Sequence, residues 1–235
     1  MAMVSHDLRT PLAAIKEALS LLSETAGGRL EERQRRYLTI AREEIDRLNR
    51  MIDNLIEVSR MDSGKVILHC DALDLPELLS AAIESLSPLV SKRNLTVERN
   101  IPSRLPPVMG DRDRLLQALI NLMDNAIKYT PPGGTIRVGI ELVDPGARVL
   151  TERGILANTG YVQVTVSDEG NGIPTELLDR IFGKFERVDP HVPGIGLGLA
   201  IVRSIVEMHH GKVWAESTLG KGTRFHFILP TKESS

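Results

Sequence analysis

The chain has 235 residues, 42% of them hydrophobic and 26% charged, with a formal net charge of −2 and one cysteine. That length allows one large domain or two modest ones, and the near-neutral balance excludes the electrostatic footprint of a nucleic-acid binder or a basic membrane patch. Cys70 has no second thiol for a disulfide or a metal cluster, which points to a reducing compartment, and there is neither a signal peptide nor a run near the ~18 apolar residues of a membrane-spanning helix.

The first 61 residues lack strand-like alternation. Leu8, Leu12, Ile15, Leu19 and Leu22 repeat at heptad spacing, and TAGGRLE (25–31) then invites a turn. A second seam runs through Leu38, Ala41, Ile45, Leu48, Ile52 and Leu55, widened by Ile40, Met51 and Val58. Two long helices in an antiparallel hairpin have too little partner surface for both stripes, so a four-helix bundle with a second copy is expected; the alternative is a hairpin packed on its own C-terminal domain. MDSGK (61–65) reads as a linker, which gives a helical domain over 1–62, a linker at 63–65 and a second domain over 66–235.

From Val66 the pattern alternates between strand and helix. VILHCDALDL holds a short strand, 76–94 a helix with Pro76 in its first turn, and LTVERNI (95–101) a strand. Asp111 is the N-cap of a helix over 111–130, stopped by Pro131, Pro132 and two glycines. TIRVGIELV (135–143) and YVQVTVSD (161–168) are strands, with a polar, solvent-exposed loop at 144–160 between them. TELLDRIFGKF and 197–210 read as helices, and KVWAEST and TRFHFILP close as a hairpin around LGKG (219–222). The expected second domain is a mixed α/β sandwich, with helices on one face of a largely antiparallel sheet.

SHDLRTPL (5–12) places a histidine, an acid and a proline on the first helix. The heptad phase sets His6 just outside the seam, with Asp7 beside it and Thr10 one turn on, on the same face. Pro11 cannot bond the carbonyl of Asp7 and clashes with it, at a cost of roughly 3 kcal/mol in a regular helix, so the helix bends beside His6. A neutral imidazole is a nucleophile at pH 7, and a neighbouring carboxylate can fix its tautomer. A surface histidine beside a surface aspartate is the plain alternative.

Four stretches of the second domain have the chemistry of a nucleotide site. In NLMDNAIKYT (121–130), Asn121 and Asn125 share a helix face, amide oxygens suit Mg²⁺, and Lys128 lies within reach of a phosphate. In DEGNGIP (168–174), Asp168 ends a strand where a carboxylate can accept an exocyclic amine, and Gly170 and Gly172 admit close backbone approach. In GIGLGLAI (194–201), Gly194, Gly196 and Gly198 open a helix whose free N–H groups favour phosphate, although the spacing fits neither a dinucleotide fingerprint nor a Walker loop. In IFGKFERVD (181–189), Lys184 and Arg187 are cations that can reach a triphosphate. Taken singly, these also read as a polar helix face, a strand-to-helix turn, a lone glycine repeat and an amphipathic helix end.

Their order decides between the readings. SHDLRTPL, NLMDNAIKYT, DEGNGIP, IFGKFERVD and GIGLGLAI resemble, in sequence, the phosphoacceptor, N, first glycine, F and second glycine boxes of bacterial sensor histidine kinases, and LGKGTRF (219–225) is similar to the hairpin that follows them. The resemblance covers nearly the whole chain. It implies a dimeric four-helix domain and a Bergerat-type ATP-binding α/β two-layer sandwich. It further implies that His6 takes the γ-phosphoryl group of ATP with Asp7 orienting it, and that Thr10 serves dephosphorylation of a response regulator. Asn125, with Asn121, would hold Mg²⁺, while Lys128, Lys184 and Arg187 would meet the phosphates. Tyr129 would line the pocket, Asp168 would bind the adenine amine, and Gly170 and Gly172 would give the ring room. Gly194, Gly196, Leu197 and Gly198 would form a phosphate cradle and lid hinge, with Thr223 of the hairpin in the same site. The implied partners are a response-regulator receiver domain and a second copy of the chain, with no nucleic acid. The implied location is cytoplasmic, as a fragment of a larger sensor that reaches a membrane only through a region upstream. A Bergerat-type ATPase of another kind, or a regulator-binding scaffold, is the rival reading. Two departures stand out: the segment between Arg187 and Gly194 is only VDPHVP, and Ile195 stands where a small hydroxyl residue is usual.

Overall fold

A computed structural model of the protein describes residues 12–13, 15–22, 31–62, 66–102, 104–152, 154–155, 160–189, 192 and 195–231. The chain forms two compact units, Met1–Val66 and Ile67–Ser235. His6, Asp7, Thr10, the Pro11 bend, most of the 25–31 turn and the 63–65 linker lie outside the described residues.

In the first unit, α1 is described over 12–13 and 15–22, and α2 spans Glu32–Asp62. Gln34 Oε1 accepts the Glu31 N–H at 2.9 Å, which satisfies one amide of the kind a helix start leaves open. Leu12, Ile45 and Ile52 are buried together, flanked by Leu19 and Ile56, and a Lys16–Asp46 ion pair of 2.6 Å ties the two helices. The rest of the seam stays open: Ile15 is 49%, Leu48 43% and Leu55 48% exposed. A groove of about 460 Å³ runs between Leu12, Ile15, Ile45, Leu48 and Met51, with Glu44 and Arg47 on its edge.

The second unit is built on a five-stranded sheet of order β2-β4-β5-β7-β6. Its strands are β2 (Thr96–Asn100), β4 (Thr135–Val143), β5 (Tyr161–Ser167), β6 (Lys212–Thr218) and β7 (Gly222–Pro230). All neighbours are antiparallel except β2 and β4. A separate antiparallel pair joins β1 (Cys70–Leu73) to β3 (Val108–Asp111), and β3 has no counterpart in the sequence reading. The main helices are α3 (Leu75–Lys92), α4 (Arg112–Tyr129) and α6 (Gly198–Met208), with α4 packed against both others. Val138, Ile140, Val162, Val164, Val166, Phe225, Phe227 and Leu229 alternate along three strands and are all buried.

Sequence-encoded caps fix the helix limits. Asp74 accepts the Glu77 N–H at 3.2 Å to start α3, with Pro76 in the first turn. Asp111 accepts the Arg114 N–H at 3.2 Å to start α4. Arg93 caps the other end of α4, donating from Nη1 to the carbonyls of Ile127 and Lys128 and from Nη2 to that of Thr130 at 3.0 Å.

Two expectations are corrected. The 144–160 segment is not simply an exposed polar loop, because it contains α5 (Arg148–Glu152), whose Leu150 is fully buried. Leu150 packs with Val143, Trp214 and Ile228, with Ala147, Ile155 and Tyr161 at the edge. Ile228 and Trp214 point away from the Phe227 face by strand alternation, so α5 covers part of the outer side of the sheet and helices are not confined to one face. Spaced apolar residues inside a polar stretch were enough for this, and burying one leucine stabilises by roughly 2 kcal/mol. TELLDRIFGKF, in turn, does not continue as an α-helix. Only Thr175–Leu177 forms a 3₁₀ turn, and further turns follow, with Gly183 bonding back to Arg180 O at 2.7 Å. Ile181 and Phe182 are buried, the latter edge-on to Phe225 at 6.4 Å between ring centroids.

Candidate active site

Strand β5 delivers Asp168 to a turn wedged between the end of α4 and the β6–β7 hairpin. Asp168 is 5% exposed. Its Oδ1 accepts from the amides of Gly170 at 2.8 Å and Thr223 at 3.2 Å, and its own N–H donates to Thr223 O at 2.9 Å. Burial pushes the carboxyl above the usual range, while the two amide donors pull the other way. Among the described residues Oδ2 accepts no hydrogen bond, so one oxygen of a rigidly held carboxylate remains for an outside donor.

Three glycines permit this packing. A side chain on Gly170 would meet Asp168 Oδ1 and Tyr129 O at 2.9 Å. Gly172, at φ +73°, abuts the Thr218 carbonyl, and Gly222, at φ +96°, abuts that of Asp168. The room at Gly172 is thus filled by backbone of the neighbouring hairpin. Ser217 completes the turn: its Oγ accepts the Ile173 N–H at 2.8 Å, donates to Gly222 O at 2.9 Å and lies 2.9 Å from Thr223 Oγ1. Glu169 ties the turn to β4, accepting from Thr135 N–H at 3.0 Å and pairing with Arg137 at 3.0 Å.

Helix α4 brings Asn121, Asn125, Lys128 and Tyr129 to the same region. Asn121 lies beside the start of α6, where a Cβ on Gly198 would be 3.7 Å from Asn121 Oδ1. Its Nδ2 is buried without a hydrogen-bond partner. Leu197, 2% exposed, precedes α6 and gives it no side-chain cap, so the first N–H groups of the helix are available to an anion. Lys128 is ion-paired with Asp124 one turn back. Burial raises the Tyr129 hydroxyl above its ordinary value, helped by the charges of Asp189 and Asp168 and opposed by that of Arg187. Arg187 Nη2 donates to Val192 O at 2.7 Å. Gly196, at φ +75°, lies against the backbone of Phe185 and Glu186, and its carbonyl accepts the Phe185 N–H at 2.8 Å.

Asp168, Gly170 and Gly172 therefore share one turn, Thr223 of β7 is hydrogen-bonded to it, and Asn121 and Gly198 face each other. Lys184 is exposed on the outer turn, and Gly194 lies outside the described residues. Residues 110–233 match the family model described as histidine kinase-, DNA gyrase B-, and HSP90-like ATPase. The chain belongs to that family. Residues 1–64 match the His Kinase A (phospho-acceptor) domain, and the two domains together form a sensor histidine kinase core with an ATP-binding domain. This core is 38% identical over 233 residues to the adaptive-response sensory kinase SasA of Synechococcus sp. (strain JA-2-3B'a(2-13)), covering 98% of the chain and 58% of that relative. It is 33% identical over 237 residues to the sensor histidine kinase WalK of Bacillus subtilis (strain 168), covering 99% of the chain and 36% of that relative. Among solved structures, full-length ShkA in complex with AMPPNP matches with a TM-score of 0.80 at 28% identity, over 100% of this chain and 46% of that one. The kinase core thus spans little more than half the length of the SasA relative.

The residues of this kinase core fit a magnesium nucleotide. Among the described residues no three His, Cys, Asp or Glu side chains cluster to hold a metal. Magnesium is commonly held by only one or two protein oxygens, with waters and phosphates filling the remaining positions. The amide oxygens of Asn121 and Asn125 are hard donors of the kind that would suit such a site, and the orphaned Asn121 Nδ2 has a proton to give to an oxygen of a bound anion. Sequence reasoning missed Ser217, Glu169 and Gly222. A serine three residues after Trp214 and a glycine at a hairpin corner give no signal until the strands are paired. None of the described helices is long and apolar enough to cross a membrane.

Proposed function

We propose that this kinase core transfers the γ-phosphoryl group of ATP to His6 and then to an aspartate of a response-regulator receiver domain, and that it also assists dephosphorylation of that regulator through Thr10. The buried Asp168, with Oδ1 fixed by two amides and Oδ2 accepting no hydrogen bond among the described residues, is the observation that carries the nucleotide half of this reading. Asp168 Oδ2 accepts the adenine amine. Asn125 and Asn121 hold Mg²⁺, which when bound offsets triphosphate charge, and the open amides of α6 take phosphate oxygens. Lys128, Lys184 and Arg187 add positive charge; Lys128 must exchange its Asp124 partner for phosphate to do so. Asp7 holds the His6 imidazole in the tautomer that leaves its nucleophilic nitrogen free. The open seam at Ile15, Leu48 and Leu55 supports a homodimer closed as a four-helix bundle. Placement on the cytoplasmic side of a larger sensor belongs to the same proposal.

Incubation with γ-labelled ATP and Mg²⁺ tests it. The chain takes up label that acid releases and base does not, and His6→Ala takes up none while still binding nucleotide. Label retained in His6→Ala would remove His6 from the mechanism.

A further inference from the structure

Outside the nucleotide turn, one buried titratable side chain joins the two helices that carry the site. His209 caps the C-terminal end of α6 and is 3% exposed. Its Nε2 lies 2.9 Å from the backbone N of Asp111, and its Nδ1 lies 2.8 Å from the carbonyl of Ile205. A backbone N–H only donates and a carbonyl only accepts, so both contacts are satisfied by one form alone: neutral imidazole with the proton on Nδ1. The ring is packed flush on strand β3, where a Cβ on Gly110 would meet His209 Cδ2 at 3.1 Å.

The position of this tie matters more than its strength. Asp111 starts α4, and its side chain is already engaged by the amides of Arg114 and, at 3.0 Å, His69. Helix α4 then runs ten residues to Asn121, while α6 runs from Gly198 to His209 in the opposite direction. At about 1.5 Å rise per residue, both helices cover roughly 15 Å between the His209–Asp111 contact and the Asn121–Gly198 contact. Helices are stiff along their axes, so the register set at His209 is carried to the point where the amide face of α4 meets the open amides of α6.

We propose that His209 is a positioning residue for nucleotide binding: neutral and protonated on Nδ1, it locks α6 to α4 in the register that places Gly198 against Asn121, and a second proton on Nε2 breaks the lock. That proton would point at the Asp111 N–H, setting donor against donor in a buried contact. The ionisable neighbours act in opposite directions. The Asp111 carboxylate on the β3–α4 corner favours the charged ring, whereas His210 on the adjoining residue disfavours it. Burial acts most strongly and holds His209 below the ordinary histidine range.

The inference rests on the nucleotide reading above and is tested with the whole chain. AMPPNP affinity is measured with Mg²⁺ from pH 5.5 to 8 for wild type, His209→Gln and His209→Leu, with circular dichroism to follow folding. A glutamine retains an acceptor for the Asp111 N–H and does not titrate, whereas leucine leaves that donor buried and unpaired. His209→Leu binds about five- to tenfold more weakly at pH 7.5. His209→Gln stays near wild type there and lacks the wild-type loss of affinity at acid pH; the difference between these two profiles cancels protonation of the nucleotide itself. Long-range ¹H–¹⁵N NMR of the wild-type imidazole shows the Nδ1–H form at neutral pH, a readout that survives even if the leucine variant fails to fold. A His209→Leu affinity equal to wild type, superimposed wild-type and glutamine profiles, or an Nε2–H tautomer overturns the role of His209 alone. Wild type that binds no AMPPNP at any pH overturns the nucleotide reading and this one with it.

Discussion

The two units use their apolar residues in opposite ways. In Ile67–Ser235 the helix faces and sheet alternation converge on a closed interior, with Leu79, Leu115, Leu122, Ile201 and Phe227 all below 2% exposure. In Met1–Val66 the heptad seam is half used: Ile45 and Ile52 meet Leu12, while Leu48 and Leu55 of the same helix remain largely open. A helix pair offers each stripe one neighbour, and a wide stripe needs two. The α/β unit can bury its surface within one chain, whereas the helical unit must find further surface elsewhere. Stability of the first is therefore a property of its sequence alone, and under the proposed homodimer stability of the second would depend on concentration.

The largest effect expected is on association. Leu48→Glu combined with Leu55→Glu places charge on the open seam without touching Ile45 or Ile52. Sedimentation velocity should show the proposed dimer replaced by monomer, while nucleotide affinity stays within about twofold, because the substitutions fall in the helical unit and Asp168 in the other. A dimer that survives both charges would place its interface off the seam and dissolve the contrast drawn above.

Next is the backbone contact on which the nucleotide turn is built. Gly222→Ala would set a Cβ 2.0 Å from the Asp168 carbonyl oxygen at a φ of +96°. Neither strand can retreat without breaking the β5–β7 ladder at Ser167 and Arg224. A loss of about 3 kcal/mol or more is expected in denaturant unfolding of the α/β unit, with nucleotide binding lost as well. The helical transition should not move, which makes this substitution the counterpart of the seam mutations.

These two regions also differ in how much of them the sequence reveals. Heptad spacing shows both stripes of the hairpin because a helix is a local, periodic object. Asp111 and Pro76 mark helix starts for the same reason, whereas the Asp74 cap falls in a stretch that reads as strand; Asp168 is visible as the acid that ends a strand. Ser217, Glu169 and Gly222 are not visible, since each acts on a segment distant in sequence that strand pairing brings close. Leu150 is the instructive failure: the composition of 144–160 is polar, and burial of one leucine on Trp214 and Ile228 outweighs that average. The helical reading of TELLDRIFGKF fails where Gly183 and the left-handed Phe185 at φ 63° turn the chain instead.

Asp168→Asn separates function from stability within the closed unit. The amide still accepts from Gly170 and Thr223 through its oxygen, but presents a donor in place of Oδ2, the oxygen proposed to accept the adenine amine. AMPPNP affinity should fall roughly 30- to 100-fold, the cost of an unmatched buried polar contact. The thermal midpoint should stay level or rise, because burial holds the wild-type carboxyl above its ordinary value and the charged form is a cost at neutral pH. A raised folded value means that the folded chain takes the proton first, so this cost is relieved as pH falls through that raised value towards 3.8. The stability difference between variant and wild type should narrow over that window. A variant clearly less stable than wild type at pH 7 would show that the charge supports the turn.

The smallest effect lies one residue past the proposed positioning histidine. His210 is exposed and sits at φ 59°, in the left-handed region that a side chain enters at a cost of roughly 1–2 kcal/mol. Its N–H bonds to Glu207 O at 3.0 Å and that of Gly211 to Val206 O at 2.9 Å, so two carbonyls at the end of α6 are satisfied through this conformation. Glycine adopts it without strain but loses more freedom on folding, which offsets part of the gain. His210→Gly should therefore stabilise the α/β unit by about 0.5 to 1 kcal/mol in urea unfolding, with no change in the m-value. It should also ease protonation of His209, since His210 opposes it. The acid loss of AMPPNP affinity should then begin at a slightly higher pH, whereas an unmoved profile would mean that His210 affects only the backbone.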